Sequence, residues 1–275
     1  MSWRLTLAIR PPVPLDASAL TPAAVAGLSE RAVADLFISV GTQPSRVGDW
    51  FRLAPTEGDV LELDGETGAL DRVGAGLRGG VILVAGPCGR EAGLAMRGGG
   101  LVIRGAAGDG LGMGLRGGMI EVRGDAGDGV GSAALGERQG MRGGRILVHG
   151  KVGARCGERM RRGEILIAGD AGALCGARMI AGTLGVLGDM GEDLLVGMRR
   201  GTLICARSPR ALPKGFAATG TWTPSWLILL ARSWRDLPAP WAHTAQADVR
   251  VERAVGDWRA GGRGELLIWP GLPAG

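Results

Sequence analysis

The sequence predicts an all-β fold built as a parallel β-helix, on three observations. Short apolar runs recur at a fixed spacing, each run alternates apolar with variable positions, and glycines recur in register with the runs. The runs are Ile82 to Gly86, Leu101 to Gly105, Ile120 to Gly124, Ile146 to Gly150, Ile165 to Gly169 and Leu184 to Gly188. Their closing glycines are separated by 19, 19, 26, 19 and 19 residues, so one rung carries a seven-residue insertion around Ser132 to Gln139. Degenerate rungs precede the array at Val60 to Gly65 and follow it at Leu203 to Arg207.

In each run the first and third residues are apolar, the period-2 signature of a strand with one buried face. Behind the runs stands the pattern GxxGxxxG, carried by Gly105, Gly108 and Gly112, by Gly124, Gly127 and Gly131, by Gly150, Gly153 and Gly157, and by Gly169, Gly172 and Gly176. At about 3.3 Å per residue, one repeat traces a perimeter of at most ~63 Å, enough for one turn of a coil with short sides and glycine corners. One rung cannot bury its apolar face alone, whereas stacked rungs form a continuous core. An up-and-down barrel is disfavoured, because each repeat offers one strand and no hairpin dipeptide.

The flanks divide the chain into residues 1–56, 57–207 and 208–275. The first part is a small α/β region: Trp3 to Ile9 alternates as a strand, Thr21-Pro22 and Ser29-Glu30 read as helix starts with a hydroxyl N-cap, and Ala32 to Leu36 forms a short helix. Phe37 to Val40 and Trp50 to Leu53 read as strands. The last part is a tryptophan-rich cap holding Trp222, Trp226, Trp234, Trp241, Trp258 and Trp269. There Thr223-Pro224 starts a helix with Trp226, Leu230 and Trp234 on one face, and Val249 to Val255 and Glu265 to Trp269 read as strands. An open solenoid end exposes core and unpaired strand edges, which an aromatic cap would cover.

Of 275 residues 52 are Gly, without the every-third spacing of collagen, and the 45% hydrophobic content argues against wholesale disorder. Tyr and Asn are missing and Lys151 and Lys214 are the only lysines, a bias of codon usage that points to a GC-rich, bacterial genome. The net charge of +5 comes without the basic blocks of a nucleic-acid binder. The longest apolar run, Trp226 to Ala231, is too short for a bilayer, and the first residues lack a secretion signal. The expectation is a cytoplasmic chain with no nucleic-acid or membrane partner and with four reduced cysteines, none in CxxC spacing.

No metal-ligand spacing and no Ser-His-Asp or Cys-His pairing is visible, so no catalytic residue, metal or cofactor is assigned to this chain. His149 takes the fourth, outward position of its run, equivalent to Arg104 and Arg123. Cys156 and Cys175 lie one rung apart and align with Ala92, Leu111 and Val130. Met96, Met141, Met160, Met179 and Met198 align with Leu115, and both columns read as core. Glycine clusters such as Gly110 to Gly114 imitate nucleotide loops but recur with the rung, as corners do.

The remaining column is cationic: Arg78, Arg97, Arg116, Arg142, Arg161 and Arg199, broken only by Ile180. Like charges about 4.8 Å apart repel by roughly 1–3 kcal/mol per neighbour at intermediate dielectric. The column is either a solvated stripe at a corner or a track that meets a polyanion or an acidic partner.

The GxxGxxxG ladder and the repeated Met/Leu-x-Gly-Gly resemble the C subunit of formylmethanofuran dehydrogenase, the corresponding subunit of bacterial formyltransferase/hydrolase complexes, and the C-terminal β-helix of glutamate synthase. The likeness extends to Leu20 to Ala23, Val40-Gly41, Gly48 to Phe51, the insertion Gly131 to Gly140 and Met141 to Gly144. It implies a right-handed β-helix that acts as a non-catalytic scaffold for one-carbon chemistry. The partners it implies are formyltransferase and metal-dependent hydrolase subunits, which move formyl from tetrahydromethanopterin to a furan carrier and release formate. A methylofuran- or methanofuran-type carrier and any metals are then expected on those partners. The glutamyl tails of such carriers make a polyglutamyl chain the candidate ligand of the arginine column.

Two alternatives stand beside it. One is the C subunit of the archaeal molybdenum or tungsten formylmethanofuran dehydrogenase. The other is a stand-alone β-helix enzyme of acyltransferase type, which the 19-residue coil disfavours because such coils are built from six-residue units.

Overall fold

The first and third positions of the runs are buried throughout; the second is half-exposed in the first three runs and buried from Leu147 on. Ile82 and Val84, Leu101 and Ile103, Ile120 and Val122, Ile146 and Val148, Ile165 and Ile167, and Leu184 and Val186 are all buried. The structure is a computed structural model, and it describes residues 2–246 and 249–273. The chain is mostly β, with one sheet of 13 strands and one of four.

The N-terminal region contains β1 (Ser2–Leu7), β2 (Leu15–Asp16), α1 (Pro22–Val25), α2 (Glu30–Ala34), β3 (Phe37–Val40), β4 (Gln43–Arg46), α3 (Val47–Trp50) and β5 (Phe51–Thr56). Both expected N-caps form: Thr21 Oγ1 accepts from Ala24 N at 3.2 Å and Ser29 Oγ from Ala32 N at 3.3 Å. The repeats supply β6 (Val60–Gly65), β7 (Leu70–Asp71), β8 (Val81–Val84), β9 (Gly100–Ile103), β10 (Met119–Val122), β11 (Arg142–Val148), β12 (Arg162–Ile167), β13 (Thr183–Val186) and β14 (Arg200–Cys205). The C-terminal region adds β15 (Ala217–Trp222), α4 (Ser225–Ser233), β16 (Val251–Gly256) and β17 (Arg263–Ile268).

From β8 to β14 each strand pairs in parallel with the next, Ile82 with Leu101, Leu101 with Ile120, Ile120 with Ile146, and so on to Leu184 with Leu203. The register is held at the corners too. A second column of parallel bridges runs Cys88, Ala107, Ala126, Val152, Ala171 and Met190. The insertion loops out between β10 and β11 without disturbing that register. At one end β1 pairs in parallel with β6 and antiparallel with β5; at the other, β17 pairs in parallel with β14 and is followed by β16 and β15. The flanking strands thus continue the ladder at both ends.

The glycine pattern serves two different physical needs. Gly105, Gly124, Gly150 and Gly169 at the first position, and Gly108, Gly127, Gly153 and Gly172 at the second, lie hard against the preceding rung's corner. A Cβ on Gly172 would stand 2.6 Å from Gly153 C. Gly112, Gly131, Gly157 and Gly176 at the third position have φ between +61° and +69°, and a Cβ on Gly112 would also meet Ile146 Cδ1 at 2.5 Å. The corners hold a further device, aspartates that follow glycines. Asp109 Oδ1 accepts from Asp128 N at 2.8 Å, Asp128 Oδ1 from Ala154 N at 2.8 Å, and Asp170 Oδ1 from Asp189 N at 2.7 Å, so each carboxylate satisfies an amide of the next rung.

The C-terminal helix lies elsewhere than at an open end. Trp234, Trp241 and Trp269 are buried together with Leu147, Leu166, Leu187, Ile204 and Leu267, so α4 and the segment after it cover the outer face of the later strands. Its buried side is Leu227, Ala231 and Trp234, while Trp226 and Leu230 are half-buried. Trp234 meets Trp241 edge to face, with centroids 5.2 Å apart, and Trp234 Nε1 donates to Glu164 Oε1 at 2.7 Å. Glu164 Oε2 accepts from Arg145 Nε at 2.5 Å, so a buried carboxylate ties the helix to two strands. Gly185 leaves the room that Trp241 occupies. The end itself is closed by strands β15 to β17.

Candidate anion-binding face

The arginine column exists as a backbone register. The N–H of Arg97 donates to Leu77 O, that of Arg116 to Met96 O, that of Arg142 to Leu115 O, that of Arg161 to Met141 O and that of Arg199 to Met179 O, at 2.6 to 2.8 Å. Arg78 lies directly before them, its carbonyl against Gly98. The buried residue preceding each arginine belongs to the methionine and leucine column, so that core ladder sets where the arginines emerge.

The side chains do not form one uniform track. Arg78, Arg97 and Arg116 are exposed, and none has an ion pair among the described residues. Arg142 is half-buried, with Nη2 3.2 Å from Glu137 Oε2. Arg161 Nη1 donates to Gln139 Oε1 at 3.2 Å. Both partners come from the insertion, which therefore occupies the middle of the column. Beyond Ile180 the column resumes at exposed Arg199.

The histidine and the cysteines singled out in the sequence are engaged or buried. His149 Nε2 lies 3.2 Å from Glu121 Oε1, and Arg123 Nε is 3.6 Å from the same oxygen, a cluster across two rungs on the outer face. Cys88, Cys156, Cys175 and Cys205 are buried free thiols. Burial pushes Cys88 and Cys205 up to about 12, and Cys156 is raised by its contact with Cys175 and by burial, so none of these three is a thiolate at neutral pH. Asp257 is 1% exposed. Burial alone would raise its pKa, but bonds from Arg259 N, the Arg259 guanidinium and Gly197 N hold it below the usual carboxylate range. Among the described residues no group of three or more His, Cys, Asp and Glu is placed to hold a metal ion, and no helix is long and apolar enough to cross a membrane.

Comparison with known proteins adds two likenesses. The C subunit of the formyltransferase/hydrolase complex Fhc from Methylorubrum extorquens is 40% identical over 88 residues, 31% of this chain. That sequence match spans 33% of the curated relative's length. A chain in the crystal structure of the formyltransferase/hydrolase complex (FhcABCD) of Methylorubrum extorquens, solved with methylofuran, superposes with a TM-score of 0.88. It is 37% identical, and the superposition covers 96% of this chain and 98% of that one. No family model matches the sequence.

Proposed function

The chain belongs to the family of the formyltransferase/hydrolase complex C subunit, and on that premise we propose that it is a scaffold subunit with no active site of its own. The observation that carries this reading is the near full-length likeness to one chain of a multi-subunit complex. The fold is proposed to be a right-handed parallel β-helix, divided into a leading region (1–56), the coil (57–207) and a closing region (208–275). Its partners are formyltransferase and metal-dependent hydrolase subunits in the cytoplasm. They transfer formyl from tetrahydromethanopterin to a methylofuran-type carrier and release it as formate, and the carrier and any metal sit on them. Both relatives come from the bacterial complex, which favours this over the molybdenum or tungsten dehydrogenase.

The internal chemistry fits a supporting role. The ladder is continuous through every rung, its thiols are buried, and His149 is engaged with Glu121 across rungs. What a partner can reach is the exposed cationic corner at Arg78, Arg97 and Arg116, proposed as a contact for an acidic surface or a polyglutamyl carrier. The purified chain is expected to show formyl transfer and formylamide hydrolysis at least about a thousandfold below the assembled complex, a barrier difference of about 4 kcal/mol. Turnover approaching that of the complex would overturn the scaffold reading.

A further inference from the structure

The stacked rungs end at β14, and the chain closes that end on two sides. β17 pairs with β14 along the main sheet, and at one corner Asp257 Oδ2 accepts from Gly197 N at 3.2 Å. The side that carries the second column of bridges stays open. Along that column Ala126 N donates to Lys151 O, Val152 N to Asp170 O and Ala171 N to Asp189 O, at 2.8 to 2.9 Å. Three residues further along each rung, Arg155 N donates to Ala173 O and Leu174 N to Glu192 O. Both series stop at the final rung. Among the described residues neither Met190 N nor Asp193 N has a hydrogen-bond partner, and no amide donates to Met190 O.

The following segment does not fill the gap. By residue count Pro209 to Lys214 stands where the next rung would run, yet it makes no backbone bond to Met190 through Asp193. Both stretches instead line a depression of about 660 Å³. Its apolar walls include buried Met190 and Leu194 and exposed Leu212. Its charged lining is Asp170, Asp189, Glu192 and Asp193 against Arg210 and Lys214, and Glu192 has no ion pair among the described residues. An unpaired ladder edge is a template for a further strand, and the excess of carboxylates favours a basic one.

We propose that this edge docks an extended segment of another polypeptide, which adds one rung to the column. The segment places a small apolar residue over Met190, as Ala107, Ala126, Val152 and Ala171 are placed below it, with basic residues alongside. The ladder sets the bonds. Met190 N donates to the carbonyl before the stacked residue, the amide after that residue donates to Met190 O, and Asp193 N donates to the carbonyl two residues beyond it. The site stands on the geometry of the ladder, apart from the arginine column and from the scaffold role.

The test measures binding of a fluorescein-labelled hexapeptide, Gly-Lys-Val-Gly-Ala-Arg, to the full chain by anisotropy. This is the sequence of residues 150–155, which hold the same ladder position two rungs earlier. Saturable binding is expected. Met190→Pro removes one ladder donor that makes no bond among the described residues, so it is expected to melt with the parent and to bind at least tenfold more weakly. The peptide N-methylated at its second glycine keeps its charge and loses the amide for Met190 O; it is expected to bind the parent at least tenfold more weakly. If Met190→Pro does not fold, the methylated peptide supplies the same readout. No saturable binding by the parent, or equal binding of the methylated peptide, would overturn the assignment. So would argininamide displacing the probe as well as the unlabelled peptide does, the mark of charge attraction alone. Co-purifying subunits test the scaffold role, so either reading can fail without the other.

Discussion

Replacing Gly172 by valine is expected to lower stability by about 3 kcal/mol, at the upper end of what overpacking costs. A Cβ there would stand 2.6 Å from Gly153 C and 2.8 Å from Ala154 N. Those atoms belong to the backbone of the preceding rung, which is fixed by Gly172 N donating to Val152 O and by the Ala171 to Val152 bridge. They can move only if the rungs part, and parting breaks several bonds at once. Gly114 is the control. It has φ +65° but nothing within 4 Å of an added methyl, so Gly114→Ala should lose only about 1 kcal/mol from backbone strain. Denaturant titration of both variants checks this; equal losses would mean that corner contact is not what demands glycine at position 172.

Truncating Trp234 to alanine is expected to cost about 4 kcal/mol, the usual range for a buried aromatic. Trp234 is fully buried, stacks its edge against Trp241 and covers the outer face of β12 and its neighbours. Its removal also strips Glu164 of a hydrogen bond in a buried setting, which adds about 1–3 kcal/mol if no water replaces it. Trp234→Phe isolates that second component, since it keeps a ring and loses the donor. Thermal melts and near-UV circular dichroism report the effect. An alanine variant that melts with the parent would contradict the packing of α4 on the sheet.

The ladder was legible because its signals are local and repeated: glycines in register, alternation inside each run, and hydroxyls before Pro22 and Glu30. The helix α3 was harder to see. It is one turn long, and its clearest mark is Asp49, whose Oδ2 accepts from Arg46 N at 3.0 Å. The two-residue strands β2 and β7 carry no periodicity at all. The seat of α4 is a non-local fact. The second position of the runs is apolar both where the helix covers it, at Leu147 and Leu166, and where it stays half-exposed, at Leu83 and Val102, so the sequence does not separate the two. Gly185, small where its neighbours are large, was the one hint that a ring lies there.

For the candidate site the same division holds. The arginine register followed from counting residues, but its interruption depends on where Glu137 and Gln139 of the insertion reach. A surface depression beside Ile180 brings together Arg138, Arg159, Arg178, Arg199 and Arg259, which share no repeat position apart from Arg159 and Arg178. Only the folded chain places Arg138 and Arg259 beside them.

Whether this chain works as one part of a hetero-oligomer is measured most directly by native mass spectrometry of the tagged chain purified from its own cells at low salt, with the co-eluting subunits identified by peptide sequencing. The expected result is a defined assembly containing this chain together with formyltransferase and metal-dependent hydrolase subunits, and formyl transfer activity that travels with the assembly. Recovery of the chain as a monomer or homo-oligomer, with those subunits in other fractions, would contradict it.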